Sequence, residues 1–320
     1  PEVGDTVLLN TTALELELGT GGYAMVVALP DRIPTDPPEV GHLVKARYLP
    51  LQTSVLGADE PDSPYFELLR DADSLDGMPV VVADLHSSLP AILAGLLHDR
   101  PGTRVVYVMT DGGALPVWFS RTVSRLREAS WLAATVTVGQ AFGGDGEAVS
   151  LHSGLLAAHL ALGAEVAIVT QGPGNLGTGT RWGFSGVTAG EAVNAAAILG
   201  GRAVAALRIS GADPRRRHLG VSHHSLTAYG RVALTAADVP VPDLLTVAPE
   251  LTNLADRIAA DVAPLAERHR LVEVDCTGLL EALRQVPGGL STMGRGLDSD
   301  PAYFLAAAAA GRHAATLLSC

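Results

Sequence analysis

The chain has 320 residues, 48% of them hydrophobic and 18% charged, with aromatics at only 4%, so it can bury a sizeable core built of Ala, Val and Leu. Its 34 acidic residues outweigh 22 basic ones, and the formal charge of −12 argues against a nucleic-acid or membrane partner. No apolar run reaches the roughly 18 residues of a membrane span, no basic n-region opens the chain, and two cysteines without CxxC spacing (Cys276, Cys320) fit a reducing, cytoplasmic compartment.

Residues 1–57 read as a β-rich module. Thr6–Leu9, Tyr23–Leu29 and Leu43–Tyr48 are enriched in strand formers and are separated by Gly19-Thr-Gly-Gly22 and a proline-rich loop. They predict a small barrel or sheet that, starting at Pro1, lacks its first strands. Lys45 is the single lysine among the 22 basic residues, a bias that reads as genomic base composition. A polar connector over residues 58–77, with Asp59, Asp62, Asp71, Asp73 and Asp76, leads into a third segment, residues 78–320.

In that segment strand and helix alternate. Val80–Ala83, Val105–Met109, Ala133–Val138, Val166–Val169, Ala203–Ile209 and Leu271–Val274 are short runs apolar on both sides, as parallel strands covered on two faces should be. Between them, Leu89, Ile92, Leu93, Leu96 and Leu97 define one apolar helix face, as do Leu151, Leu155, Ala158 and Leu162. Gly163 closes that second helix. Thr188-Ala-Gly-Glu191 has the form of a capping box, and an Ala-rich helix, Ala302 to Leu318, ends the chain. The fold class is therefore α/β: a mostly parallel sheet with helices on both faces, preceded by the β-rich module.

In such sheets ligands bind beyond the carboxyl ends of the strands. Four successive strand ends carry polar, glycine-punctuated loops: Asp84-Leu-His-Ser-Ser88, Thr110-Asp-Gly-Gly113, Gly139-Gln-Ala-Phe-Gly-Gly-Asp145 and Thr170-Gln-Gly-Pro-Gly-Asn-Leu-Gly-Thr-Gly-Thr180. The last is the most unusual, because glycine at that density suits close backbone approach to a ligand, most often an anion. It does not match a P-loop, since no lysine follows its last glycine. Its ligand-binding candidates are Gln171, Gly172, Gly174, Asn175, Gly177, Thr178, Gly179 and Thr180. Asp84 and His86 are candidates for an acid–base pair or for metal ligands, strand alternation placing both on one side of the backbone; the plainer reading is helix capping beside a bystander histidine. Asp111 is a further candidate, or simply a turn residue.

Ser222-His-His-Ser225 offers His223 or His224 as one metal ligand or a general base, since adjacent histidines diverge in regular structure. Asp213-Pro-Arg-Arg-Arg-His218 is the densest basic cluster, and Arg295, between glycines in Ser291-Thr-Met-Gly-Arg-Gly296, has the setting of a phosphate or carboxylate clamp.

These phrases, with Leu9-Asn-Thr-Thr12, Val82-Ala-Asp-Leu-His-Ser87 and Gly220-Val-Ser-His-His-Ser225, resemble a bacterial family catalogued only as a domain of unknown function. The resemblance covers essentially the whole chain and implies a full-length form starting before Pro1. It implies no activity, cofactor or catalytic residue.

Three functions fit. The first is binding of a small anionic, possibly phosphorylated, molecule by the glycine loop and Arg295 or Arg215–Arg217, with or without catalysis. The second is a metal-assisted hydrolase in which Asp84, His86, Asp111 and one of His223 and His224 surround a divalent ion. The third is a non-catalytic homo-oligomeric scaffold.

Overall fold

The computed structural model describes residues 1–16, 23–33, 35, 40–50, 52–112, 116–247 and 251–318. The expected Gly19–Gly22 loop, Gly113 and Cys320 lie outside these residues. The N-terminal region contains β1 (Leu8–Asn10), α1 (Thr12–Glu15), β2 (Met25–Ala28), β3 (Leu43–Lys45), β4 (Thr53–Val55) and α2 (Phe66–Leu69). Next come β5 (Pro79–Val82), α3 (Leu89–Asp99), β6 (Val105–Thr110), α4 (Arg121–Glu128), β7 (Ala134–Thr137), β8 (Gly146–Glu147), α5 (Leu151–Leu156) and β9 (Val166–Gln171). The chain continues with α6 (Thr188–Ile198), β10 (Arg202–Ala205), β11 (Ile209–Ser210), β12 (Gly220–Val221), α7 (His223–Thr227), β13 (Asp238–Asp243), α8 (Thr252–Val262), β14 (Arg270–Asp275), α9 (Leu279–Arg284) and α10 (Pro301–Thr316).

Eight strands form one sheet in the order β14-β13-β10-β5-β9-β6-β7-β8, and every pairing in it is parallel. β5, β6 and β9 are buried except at Thr110, which explains their unbroken apolar sequences. The steps from β5 to β6 and on to β7 run one way across the sheet; those from β8 to β9, β10, β13 and β14 run the other. Right-handed crossovers therefore put α3 and α4 on one face and α5, α6 and α8 on the opposite face. β5 and its two neighbours, β9 and β10, send their outgoing connections to opposite faces. In an open parallel sheet such a reversal is where ligand sites are expected.

The Ala-rich α10 packs along α3. Two glycines permit the contact: a Cβ at Gly95 would stand 1.9 Å from the carbonyl oxygen of Ala308, and one at Gly311 1.8 Å from that of Ile92. Small residues thus replace aromatics as the means of filling this layer.

Several local expectations differ from the structure. The Ala203–Ile209 run splits into β10 and β11. β13, sequence Asp-Val-Pro-Val-Pro-Asp, was unexpected because two prolines argue against an interior strand. It is tolerated because β13 pairs along its length with β14 but with β10 only at Val204–Asp238. Thr188 is not a cap: a 3₁₀ turn over Ser185–Val187 runs directly into α6, and the Thr188 hydroxyl donates to the Ser185 carbonyl. Gly163 does close its helix, at φ +65°, after a π-turn over Ala157–Ala161.

Among the described residues the β-rich start forms two small sheets and no barrel. β1–β2 and β3–β4 are separate antiparallel pairs, the first largely exposed. The second ends in Lys45, fully buried, whose ammonium donates to the carbonyls of Ala141 and Ala148 at 2.9 Å each and of Thr137 at 3.4 Å. Glu147 Oε2 lies 3.4 Å away.

Candidate functional site

Asp84 lies two residues past the end of β5 and is 3% exposed. Its backbone is held from two sides. Gln171, ending β9, donates through Nε2 to the Asp84 carbonyl at 2.6 Å and to Asn175 Oδ1 at 2.9 Å. Gly186 packs so closely that a Cβ there would meet the Asp84 Cβ at 2.9 Å, so this position needs glycine. Below, the Tyr229 hydroxyl lies 3.0 Å from the Val82 carbonyl and 3.1 Å from that of Ala206, tying β5 to β10.

The β11–β12 pair folds the chain back so that Ser222 follows close to Arg208: the Ser222 N–H donates to the Arg208 carbonyl at 2.8 Å, and the Arg208 N–H to Ser225 Oγ at 2.9 Å. Ser222 then caps α7, its Oγ accepting from the His224 N–H at 3.2 Å, while His218 Nδ1 lies 2.8 Å from the same oxygen. One hydroxyl thus orients two imidazoles. His218, His223 and His224 each present a ring nitrogen within 4.8 Å of the others, with ring centroids 4.4 to 5.0 Å apart. Adjacent histidines were expected to diverge. Here, in the first turn of a short helix, both rings lean toward His218. Phe184 lies flat on His224, centroids 3.8 Å apart and planes 4° from parallel, fixing that ring.

His218 and His224 are buried, and His223 is half-buried. Burial, reinforced by neighbouring histidine and arginine charge, pushes His218 down to about 3 and His223 to about 4, so both are neutral near pH 7. Neutral imidazole is the form that ligates metals. His223 Nε2 is buried without a hydrogen-bond partner, as is Asp84 Oδ2. That oxygen lies 3.5 Å from His224 Nδ1 and 3.8 Å from Arg208 Nη1, which is itself 3.3 Å from His224 Nδ1.

The structure brings Asp84, His223 and His224 together but sends His86 and Asp111 elsewhere. The chain enters a 3₁₀ turn at His86, which breaks the strand alternation relied on above. Its Nδ1 lies 3.0 Å from the Tyr107 hydroxyl and its Nε2 2.7 Å from Ser120 Oγ, so both nitrogens are occupied, and desolvation pushes the ring down to about 4. Tyr107 is on β6, which β9 separates from β5. Asp111 is exposed and accepts the Gln140 N–H at 3.2 Å. Neither Ser87 nor Ser88 caps a helix; their hydroxyls lie 2.7 and 2.9 Å from that of Tyr303.

The glycine loop closes largely on itself. The Thr178 N–H donates to the Gly183 carbonyl, Gly177 bridges Phe184, Thr178 and Thr180 hydroxyls lie 3.1 Å apart, and Ser185 Oγ donates to Asn175 and accepts the Leu176 N–H. Gly172 lies against Met109, and Gly174 faces open space. The loop's effect on the site is to deliver Phe184 onto His224. Arg295 is held by Asp213 at 3.2 Å and Asp300 at 3.1 Å, and Asp213 is also paired with Arg215, which keeps its carboxylate far below the usual range.

Sequence reasoning missed His218, Arg208 and Phe184 as site residues. The signal for His218 was a histidine five residues before the pair, obscured by the arginines around it. An arginine interrupting the apolar run from Ala203 pointed to Arg208.

The chain belongs to the family described as protein of unknown function DUF3866, which matches residues 1–311 and so includes all the residues just described. No match was found among curated proteins or among solved structures.

Proposed function

We propose that the protein is a metal-dependent hydrolase whose divalent ion is held by His218, His223 and His224. The observation that carries this reading is the convergence of three imidazole nitrogens within 4.8 Å, on a cluster in which His223 Nε2 is buried with no hydrogen-bond partner. A purely structural aromatic cluster has no reason to leave that nitrogen unsatisfied, at a cost of about 1–3 kcal/mol. His218, His223 and His224 would hold such an ion, which would supply Lewis-acid activation of water for hydrolysis.

Three surrounding groups support this reading. Ser222 Oγ takes the second nitrogen of His218, leaving Nε2 for the ion. For His224 Nε2 to ligate, Nδ1 must carry the proton; it would then donate to Asp84 Oδ2, 3.5 Å away, in place of accepting from Arg208 Nη1 at 3.3 Å, and the carboxylate would raise the ring's basicity. Phe184 prevents His224 from rotating away. Asp84 is thus a positioning residue in this reading, while His86 is engaged through both nitrogens and Asp111 lies exposed just past the end of β6.

The test is metal uptake. After dialysis against a chelator, the wild-type chain takes up one equivalent of Zn²⁺ or Co²⁺, detected by calorimetry and, for Co²⁺, by visible ligand-field bands. His218→Ala and His223→Ala abolish uptake, and Asp84→Asn weakens it about 10–100-fold. Wild-type uptake no greater than that of the histidine variants overturns the assignment.

A further inference from the structure

A cleft of 650 Å³ opens beside the three-histidine cluster, and His223 forms part of its wall. Its volume suits a small molecule. Arg181, Arg217 and Arg231 also line it, with Gly179 from the glycine loop. These arginines differ from nearly all the others. The remaining guanidinium groups among the described residues are engaged: Arg215 by Asp213, Arg270 by Asp238, Arg268 by the carbonyls of Gly230 and Ala233. The guanidinium groups of Arg181, Arg217 and Arg231, and that of Arg216 next to Arg217, make no hydrogen bond, ion pair or ring contact among the described residues. Three of these four therefore open onto one cleft in a chain of net charge −12.

Two acids share the lining. Asp261 is occupied by Arg257 at 3.7 Å and by the Val221 N–H at 3.1 Å, which leaves Glu267 as the uncompensated one. Three arginines against one glutamate leave an excess of positive charge that suits a dianion better than a monoanion. Gly179 borders the cleft at φ +81°, a left-handed conformation that favours glycine; a Cβ there would stand 3.6 Å from Arg217 Nη2, an ordinary contact.

We propose that this cleft binds the phosphate group of a small phosphorylated substrate, Arg181, Arg217 and Arg231 forming the clamp and His223 marking the side on which the reacting bond lies. The identity of the reacting centre rests on the metal reading above, whereas the binding of phosphate follows from the arginines alone. Arginine is suited to this role because its planar fork matches phosphate oxygens.

The probe is inorganic phosphate, titrated calorimetrically into metal-free and, separately, metal-loaded protein, with acetate as the carboxylate comparison. Phosphate binds both forms, acetate at least tenfold more weakly, and Arg217→Gln/Arg231→Gln weakens phosphate at least tenfold while leaving Zn²⁺ uptake intact. Both arginines are exposed, so the double variant should keep its fold, which an unchanged thermal midpoint verifies. No binding to either form, or affinity indifferent to the double substitution, overturns the proposal; acetate binding as tightly as phosphate overturns its dianion specificity. Phosphate binding without metal uptake leaves the clamp standing and removes the metal centre.

Discussion

Two buried polar clusters in this protein follow opposite rules. Around Lys45, each part of the charge is answered: three carbonyls and the Glu147 carboxylate surround the ammonium, and Glu147 itself accepts from Thr137 Oγ1 and the Gly143 N–H. Around His218, His223 and His224, a ring nitrogen and a carboxylate oxygen are left without partners. Buried polar groups that are fully satisfied specify a fold; those left unsatisfied mark places where something else belongs. The first cluster fastens the β3–β4 pair to the sheet, and the second is open to the cleft.

The largest expected effect is at the fastened cluster. Lys45→Met removes the cation and leaves Glu147 buried without its ion partner. Since breaking a buried pair from one side costs about 3–5 kcal/mol, the denaturant midpoint should fall sharply. Lys45→Arg should also lose stability, because a planar guanidinium does not fit a cage of three carbonyls built for a compact ammonium. A loss below about 1 kcal/mol in both variants would erase the contrast between the clusters.

That contrast also explains what the sequence disclosed. Long apolar runs such as Val105–Met109 and Val166–Val169 announced the parallel sheet, because burial on both faces leaves no room for polar residues. β13 was hidden since its prolines carry the wrong local signal, and only its pairing with β14 makes it a strand. At the site, Asp84, His223 and His224 were visible as polar residues after strands or turns. His218 was not, because the fold-back through β11 and β12 brings it to them, and nothing in the local pattern encodes that pairing. Lys45 was conspicuous as the single lysine and was set aside as composition. Its socket, made from residues about a hundred positions later, shows why that position retains lysine when arginine serves elsewhere.

A smaller effect comes from His86, whose two nitrogens are both satisfied, as in the Lys45 cluster, but by neutral hydroxyls. Its folded value of about 4 lies below the usual 6.5. As pH falls from about 6.5 towards 4, the unfolded chain therefore binds a proton that the folded chain refuses. Stability is fully present above 6.5 and declines by up to about 1.4 kcal/mol per pH unit through this window. The other histidines and the carboxylates contribute as well, so the measurement is a difference: denaturation of wild type and His86→Gln across pH 4 to 7. The variant should show the shallower slope, and equal slopes would mean that the His86 ring protonates as freely folded as unfolded.

The smallest effect is the most discriminating. In metal-free protein His223→Phe replaces an imidazole carrying an orphaned nitrogen by an apolar ring of similar size, beside Phe184. Removing an unsatisfied buried group is neutral or stabilising, so the denaturation free energy in the presence of chelator should stay the same or rise by up to about 1 kcal/mol. Added Zn²⁺ should then stabilise the wild type and leave the variant where it was, because an ion that binds only the folded chain raises stability in proportion to the logarithm of its concentration. A metal-free variant weaker than wild type by about 1.5 kcal/mol or more would show that His223 is held by the fold for the fold's sake. The unsatisfied nitrogen would then be a packing defect in a structural cluster, and the two regions would differ in degree only.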